Sequence, residues 1–304
     1  MSAVLVKGAV DQLAVVPARR HRSWTLIVGS ILVGIIAVAA VVSLFWLPYA
    51  TDDTTGTRLE GPGPLHLLGT DKLGRDLLTQ LLVGARIALM VGLGSIVIGA
   101  IVGVTIGLIA AFATPWLDDT ISAALDVVIA FPVLLLAMLI VAAQGASLVS
   151  VILAIGLAMS AVVARLTRVL TKRVLGEQYV TAARTSGTRW PGIVAGHILP
   201  NIWPTLSVNL ALQFGVAVLA EASLSYLGLG APPPNASWGR LLQEAQGTVA
   251  TAPVGAIAPG IALIMLVIGV NFIADGLRDV ADPSRRVSSR RASSRRPSSR
   301  RSAR

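Results

Sequence analysis

Residues 177–201 read EQYVTAARTSGTRWPGIVAGHILPN, a polar stretch set between two strongly apolar runs. From Glu177 to Arg184 the residues are good helix formers, with Ala182 and Ala183 side by side, and they predict a short helix. Gly187 can adopt a positive φ and so end that helix. Pro191 fits the first turn of a second short helix, and Pro200 the first turn of the apolar run that follows. Helix, glycine elbow, helix describes a rigid knob rather than a loose connector. Taken singly, Ala-Ala, a glycine and Leu-Pro belong to any loop; only their order and spacing carry weight.

The knob belongs to a chain of 304 residues that is 54% hydrophobic and only 13% charged, with a mean hydropathy of +0.77. That leaves too little polar surface to cover a soluble globule. Long apolar runs make it a polytopic membrane protein, all-α in class. There is no cysteine, which excludes disulfides and thiolate chemistry. The net charge of +10 comes from the end: Ser284–Arg304 holds nine Arg and no acid, and the remainder carries 16 basic against 15 acidic residues.

Residues 1–22 form a polar arm with Lys7, Arg19, Arg20 and Arg22. A first span follows within 23–47. Ala37-Val38-Ala39 imitates a signal-peptide cleavage site, but the apolar run continues to Leu47, so an uncleaved helix is expected. Residues 48–84 are polar and rich in Gly and Pro. Further apolar runs occupy about Ile87–Phe112, Ile121–Ala143, Leu148–Val163, Ile202–Ala220 and Val254–Ile273. Each approaches the ~20 residues that ~30 Å of hydrocarbon requires, which gives about six spans.

Orientation follows from Lys and Arg. With the amino terminus inside, the inner segments hold twenty basic residues and the outer ones five: Arg58, Lys72, Arg75, Arg86 and Arg240. Discounting the tail leaves eleven against five, so both termini and loop 177–201 are expected in the cytoplasm. Gly99, Gly103 and Gly107 recur every four residues in the second span and would let another helix approach closely. Pro132 should kink or locally break the third. Trp238 suits a membrane–water boundary.

The knob matches the motif EAA, three residues, Gly, nine residues, Ile-x-Leu-Pro. Thr181, Ala182 and Ala183 fill its start, Gly187 its glycine, and Leu199 and Pro200 its end; Thr181 stands in place of Glu and His197 in place of Ile. This resembles the coupling loop of membrane subunits of ABC importers, with an ending, GHILPN, similar to dipeptide/oligopeptide permeases. Two outer segments resemble the C-type permeases of that branch. One is HLLGTDKLGRDLLTQLLVGARIAL at 66–89, with Gly69, Thr70, Asp71, Gly74, Arg75 and Asp76; the other is EASLSYLGLGAPPPNASWG at 221–239. Thr70 or Asp71 could cap a helix there, and Arg75 and Asp76 could supply ion pairs. The ending DGLRD at 275–279, then Asp282-Pro283, is also similar. The resemblance covers nearly all of 20–283.

It implies the type I ABC importer fold, with a transmembrane domain at 85–280, and one half of a two-permease pore for peptides in a prokaryotic inner membrane. A B-type permease would be the other half, two cytoplasmic ATPases would drive it, and an extracytoplasmic binding protein would deliver substrate. Glu177, at the start of the knob, would join Thr181, Ala182, Ala183, Gly187, Leu199 and Pro200 in coupling to the ATPase.

No GxxxxGK[ST], GxSxG or HExxH occurs. The chain is therefore expected to be no enzyme and to hold neither cofactor nor metal, with ATP and magnesium bound by the partner ATPases. Ionisable residues within spans are functional candidates. Asp126 could be a structural or interfacial charge or a substrate ligand, and Glu221 lies at the outer end of the fifth span. Asn209 and Gln213, four apart on one face, could line the pore or bond a neighbouring helix. Residues 281–304 repeat an Arg pair every five residues, a disordered low-complexity tail suited to anionic membrane lipid or to anchoring topology, with no motif for nucleic acid. The rival classes are a self-contained secondary transporter or channel, for which no repeat between the halves speaks, and a non-transporting scaffold, which leaves the knob unexplained.

Overall fold

The computed structural model describes residues 22–232 and 235–281. The arm before Arg22, Pro233, Pro234 and nearly all of the tail lie outside the described residues. Among those described, ten α-helices and no strand are found. They are α1 (Arg22–Phe45), α2 (Leu77–Phe112), α3 (Pro115–Ala130), α4 (Val133–Gln144), α5 (Leu148–Leu175), α6 (Gln178–Thr185), α7 (Trp190–Ile193), α8 (Leu199–Tyr226), α9 (Trp238–Ala245) and α10 (Val254–Ala281).

Helices α1, α2, α5, α8 and α10 are each long and apolar enough to cross a membrane. The expected third span is not one rod. It breaks at Phe131–Pro132 into α3 and α4, bent by 90°. Pro132 offers no N–H to the preceding turn, and its ring excludes the carbonyl four residues back. At 1.5 Å per residue, α3 is about 24 Å long and α4 about 18 Å, so only the pair together counts as a sixth span.

The seam between α2 and α5 is the most extensive helix pairing. A Cβ at Gly103 would meet the Ser160 carbonyl oxygen at 2.6 Å, and one at Gly107 the Ala164 carbonyl oxygen at 2.5 Å. The glycine stripe thus sets two backbones against each other. Leu93, Val97 and Ile101 line the opposite, exposed face of α2. Around this seam, Ile87, Val91, Ala137, Val141, Ile155 and Met159 join α2, α4 and α5 in one core. A second core holds Ile36, Phe214, Val218, Trp238 and Leu266 from α1, α8, α9 and α10.

Candidate functional site

The knob begins where α5 stops. Gly176 caps α5, Glu177 adopts an extended conformation (φ −80°, ψ 142°), and α6 runs from Gln178 to Thr185. Gly187 has φ +85°. Its N–H donates to the Arg184 carbonyl at 3.0 Å, and the Thr188 N–H reaches back to the Ala183 carbonyl at 3.0 Å. This paired closure is the turn in which a left-handed residue satisfies the last carbonyls of a helix, and glycine fits it without strain.

Val180, Ile193, Ile198 and Ile202 are buried together with Val174 of α5, and Leu108 of α2 packs on them. The knob therefore has its own small core, fixed to the ends of two spans. Arg184 lies 4.5 Å above the Trp190 ring, and Trp190 meets Phe112 of α2 edge-on at 5.0 Å. Glu177, Thr181, Ala182 and Gly187 are exposed, and Ala183 is half-buried. Thr181, Arg184, Thr185 and Trp190 line an open depression closed beneath by Leu175 and Val180.

After the elbow, the structure departs from two separate helices. α7, a π turn over Val194–Ile198 and α8 continue into one another. Together they form a single apolar helix from Trp190 to Tyr226. Pro200 accounts for the π turn: without an N–H it cannot serve the carbonyl one turn back, and the wider turn makes room for its ring. The Leu199 N–H donates to Val194, and the Asn201 side-chain amide to the His197 carbonyl at 2.6 Å. Leu199 and Pro200 thus sit within a continuous helix that carries the knob into the membrane.

The outer motif folds as a tight loop against the start of α2. Gly69 and Gly74 have φ +82° and +86°. The cap of α2 is Asp76 rather than Thr70 or Asp71, and its carboxylate accepts from the Thr79 N–H at 2.7 Å. It also lies 3.1 Å from His66 Nδ1. Thr70 accepts from the Glu60 N–H at 2.9 Å and donates to the Thr57 carbonyl. Asp71 closes the turn by accepting from the Leu73 and Arg75 N–H groups at 2.7 and 2.9 Å. Arg75 joins Asp71 at 2.6 Å to Glu244 of α9 at 2.6 Å, and Arg240 completes the set on Glu244 at 2.9 Å.

Trp238, expected at a membrane–water boundary, is packed inside the protein. It is 1% exposed and donates from Nε1 to the Leu81 carbonyl at 3.0 Å. A Cβ at Gly84 would stand 2.4 Å from its ring, so Gly84 is the slot that admits the indole. Glu221 is buried and accepts from Ser225 Oγ at 2.6 Å. Asp126 pairs with Arg165 of α5 at 3.3 Å, with both side chains largely exposed. Asn209 faces a cavity it shares with Pro204, Thr205 and Arg278. Gln213 lies one turn on, half-buried. The knob, the outer motif and these span residues thus occupy separate regions and form no single pocket.

Two residues escaped the sequence reading. Glu244 was signalled by its spacing of four from Arg240 on a short helix. Asp118, 5% exposed, is held by Arg168 and Lys172 of α5. Its only signal was its place in the first turn after Pro115.

Five long apolar helices and one bent pair, with a polar knob continuous with a span, define a polytopic membrane protein. The chain belongs to the family of binding-protein-dependent transport system inner membrane components, whose description matches residues 103–287. It is a multi-pass permease subunit of an ABC importer, a transport component that works with ATPase subunits. A self-contained secondary transporter is set aside by this membership. The chain is 37% identical over 261 residues to the dipeptide transport system permease protein DppC of Alkalihalophilus pseudofirmus, covering 86% of each chain. It is 37% identical over 256 residues to the glutathione transport system permease protein GsiD of Pectobacterium atrosepticum, covering 82% of this chain and 85% of that one. It is 40% identical over 225 residues to the di/tripeptide transport system permease protein DppC of Pseudomonas aeruginosa, covering 74% of each. Its fold is similar to an inward-facing form of the MetNI methionine ABC transporter, with a TM-score of 0.57 at 19% identity, over 67% of this chain and 96% of that one.

Proposed function

We propose that this chain forms one half of the translocation pore of an importer for peptides. Its other half is a B-type permease, two cytoplasmic ATPase subunits drive it, and an extracytoplasmic binding protein supplies substrate. The relatives named for dipeptides, di- and tripeptides and glutathione support the peptide class. ATP and magnesium stay with the ATPases; this chain holds no cofactor or metal and partners no nucleic acid. The excess of basic residues supports an arrangement in a prokaryotic inner membrane with both termini and the knob cytoplasmic and segment 48–84 outside. Residues 85–280 then act as the transport domain, and the tail from 281 as an appendage on the lipid surface.

The observation that carries the coupling role is the unbroken helix from Trp190 to Tyr226, which leaves the exposed elbow at Gly187 and enters the membrane. Closure of the ATPases on nucleotide pushes the knob, and a continuous helix passes that displacement on without losing it in a loop. Glu177, Thr181, Ala182, Ala183 and Gly187 offer the contact surface; Leu199 and Pro200 lie on the helix that leads from it.

Gly187→Leu tests this. A Cβ there meets nothing within 4 Å in this chain, so the variant carries only backbone strain, roughly 1–2 kcal/mol. It should insert and fold, yet lose ATPase recovery on co-purification, or lose substrate-stimulated hydrolysis. Glu177→Ala should do less. Normal recovery together with normal uptake by Gly187→Leu would reduce residues 177–201 to an ordinary connector.

A further inference from the structure

We infer that Asp118, Arg168 and Lys172 form a clamp that makes the bent helix pair α3–α4 move with the knob-bearing end of α5, and so are positioning residues for transport; this rests on the coupling role proposed for the knob. Asp118 is a carboxylate at 5% exposure. Burying it costs several kcal/mol unless charge partners and hydrogen bonds compensate. Arg168 supplies a two-pronged contact, Nε to Oδ1 and Nη2 to Oδ2, the latter at 2.7 Å. Such a fork fixes direction as well as distance, so it resists both sliding and rotation. Lys172, one turn further along α5, holds Oδ2 as well. The first turn of α3 adds its positive helix end to the same carboxylate.

The place of the clamp gives it a consequence. Lys172 lies three residues before the end of α5, and Gly176 and the knob follow at once. Asp118 lies at the start of α3, whose far end is the 90° break at Phe131–Pro132. Below the break, Leu125 packs on Ala161 and Ala164 of α5. Beyond it, Ala137 and Val141 of α4 are buried in the core that α5 shares with α2. A push on the knob that shifts the end of α5 therefore shifts α3 through the clamp, and the break is the one joint along the pair where that motion can become rotation of α4. Arg165 and Asp126 lie on the same seam, but their mutual exposure leaves them little weight.

The test uses the assembled importer in proteoliposomes. Asp118→Ala with Arg168→Ala removes the carboxylate and its main partner together, so no buried charge is stranded. The expected result is normal partner recovery and basal ATP hydrolysis, with uptake per ATP reduced about fivefold or more, the lower end of ordinary coupling between two sites. Asp118→Cys with Arg168→Cys, bridged by a short bis-maleimide, should restore uptake. The chain has no cysteine of its own, so within it the linker joins only these two positions. A merely structural pair would not regain transport from a covalent bridge made after assembly. Normal uptake by the double-alanine complex, or a loss that the bridge leaves unchanged, overturns the clamp. If the double-alanine chain fails to assemble, Lys172→Ala decides, since Asp118 keeps Arg168: a fall in uptake per ATP supports the clamp, and an unchanged ratio overturns it. Gly187→Leu is measured alongside. If it uncouples while the clamp variants do not, the clamp alone fails; if it behaves as wild type, the knob reading fails.

Discussion

Trp238→Ala should be among the most damaging substitutions outside the spans. The indole is 1% exposed, sits in the core shared by α1, α8, α9 and α10, and donates to the Leu81 carbonyl at 3.0 Å. A buried tryptophan removes roughly 150–250 Å² from solvent, worth about 4–6 kcal/mol at ~25 cal/mol per Å², an upper bound because the unfolded chain already buries part of it. Large-to-small replacements of this kind cost about 3–5 kcal/mol. Trp238→Phe keeps most of the area and loses the N–H, so about 1–2 kcal/mol is expected. Gly84→Ala puts a methyl 2.4 Å from the ring and should cost about 1–3 kcal/mol by overpacking. Trp203, 57% exposed, is the control: its replacement by Ala should stay within about 0.5 kcal/mol. Thermal unfolding of the four purified variants in one detergent, read by tryptophan-independent far-UV dichroism, should rank them Trp238→Ala, then Gly84→Ala and Trp238→Phe, then Trp203→Ala. Equal melting of Trp238→Ala and Trp203→Ala would refute the packing described.

Gly103→Ala should lose about 1–3 kcal/mol because its methyl meets a backbone carbonyl at 2.6 Å, whereas Gly34→Ala, with nothing within 4 Å, should be neutral in the same melting assay. Asp76→Ala removes the cap of α2 and the partner of His66, and should cost about 1 kcal/mol, seen as faster amide exchange over the first turn after Leu77. Gly187→Cys should resist an impermeant thiol reagent in intact cells and react once they are permeabilised; labelling from outside would reverse the proposed topology. A chain ending at Pro283 should assemble and transport normally, and loss of uptake at normal abundance would give the tail a function.

The parts legible in the sequence are those set by local chemistry. Gly187 at positive φ, Pro191 in a first turn, and the glycine stripe facing α5 each follow from one residue type and its spacing. The break at Pro132 was foreseeable as a kink, but not its size, because 90° depends on how α3 and α4 each find a face of α5. The fusion of α7 with α8 was hidden because a π turn lets Pro200 sit inside a helix that proline would otherwise start. The burial of Trp238 was not legible: an amphipathic ring near a span end suggests an exposed position, and only Gly84, 154 positions earlier, announces the slot that holds it. Asp118 finds Arg168 50 residues away, and Glu244, beyond its local partner Arg240, finds Arg75 169 residues away, distances in sequence that no local pattern spans.

The two ends of the bundle spend their charges differently, and the difference bears on mechanism. At the end of the outer motif, Asp71, Arg75, Glu244 and Arg240 form a neutral set in which each acid has a cation at 2.6–2.9 Å. Such a set has no net charge with which to draw a ligand; it ties the loop before α2 to α9. At the end of the knob, Arg168 and Lys172 of α5 hold Asp118 of α3, and Arg184 lies over the Trp190 ring. Positive charge and exposed aromatic surface therefore gather where the two stiff elements, α5 and the Trp190–Tyr226 helix, emerge side by side. A partner that grips this end takes hold of both at once. On the coupling role proposed for the knob, work delivered there would enter the bundle along two rods of different reach, and their unequal displacement would open one side of the bundle while the other closes.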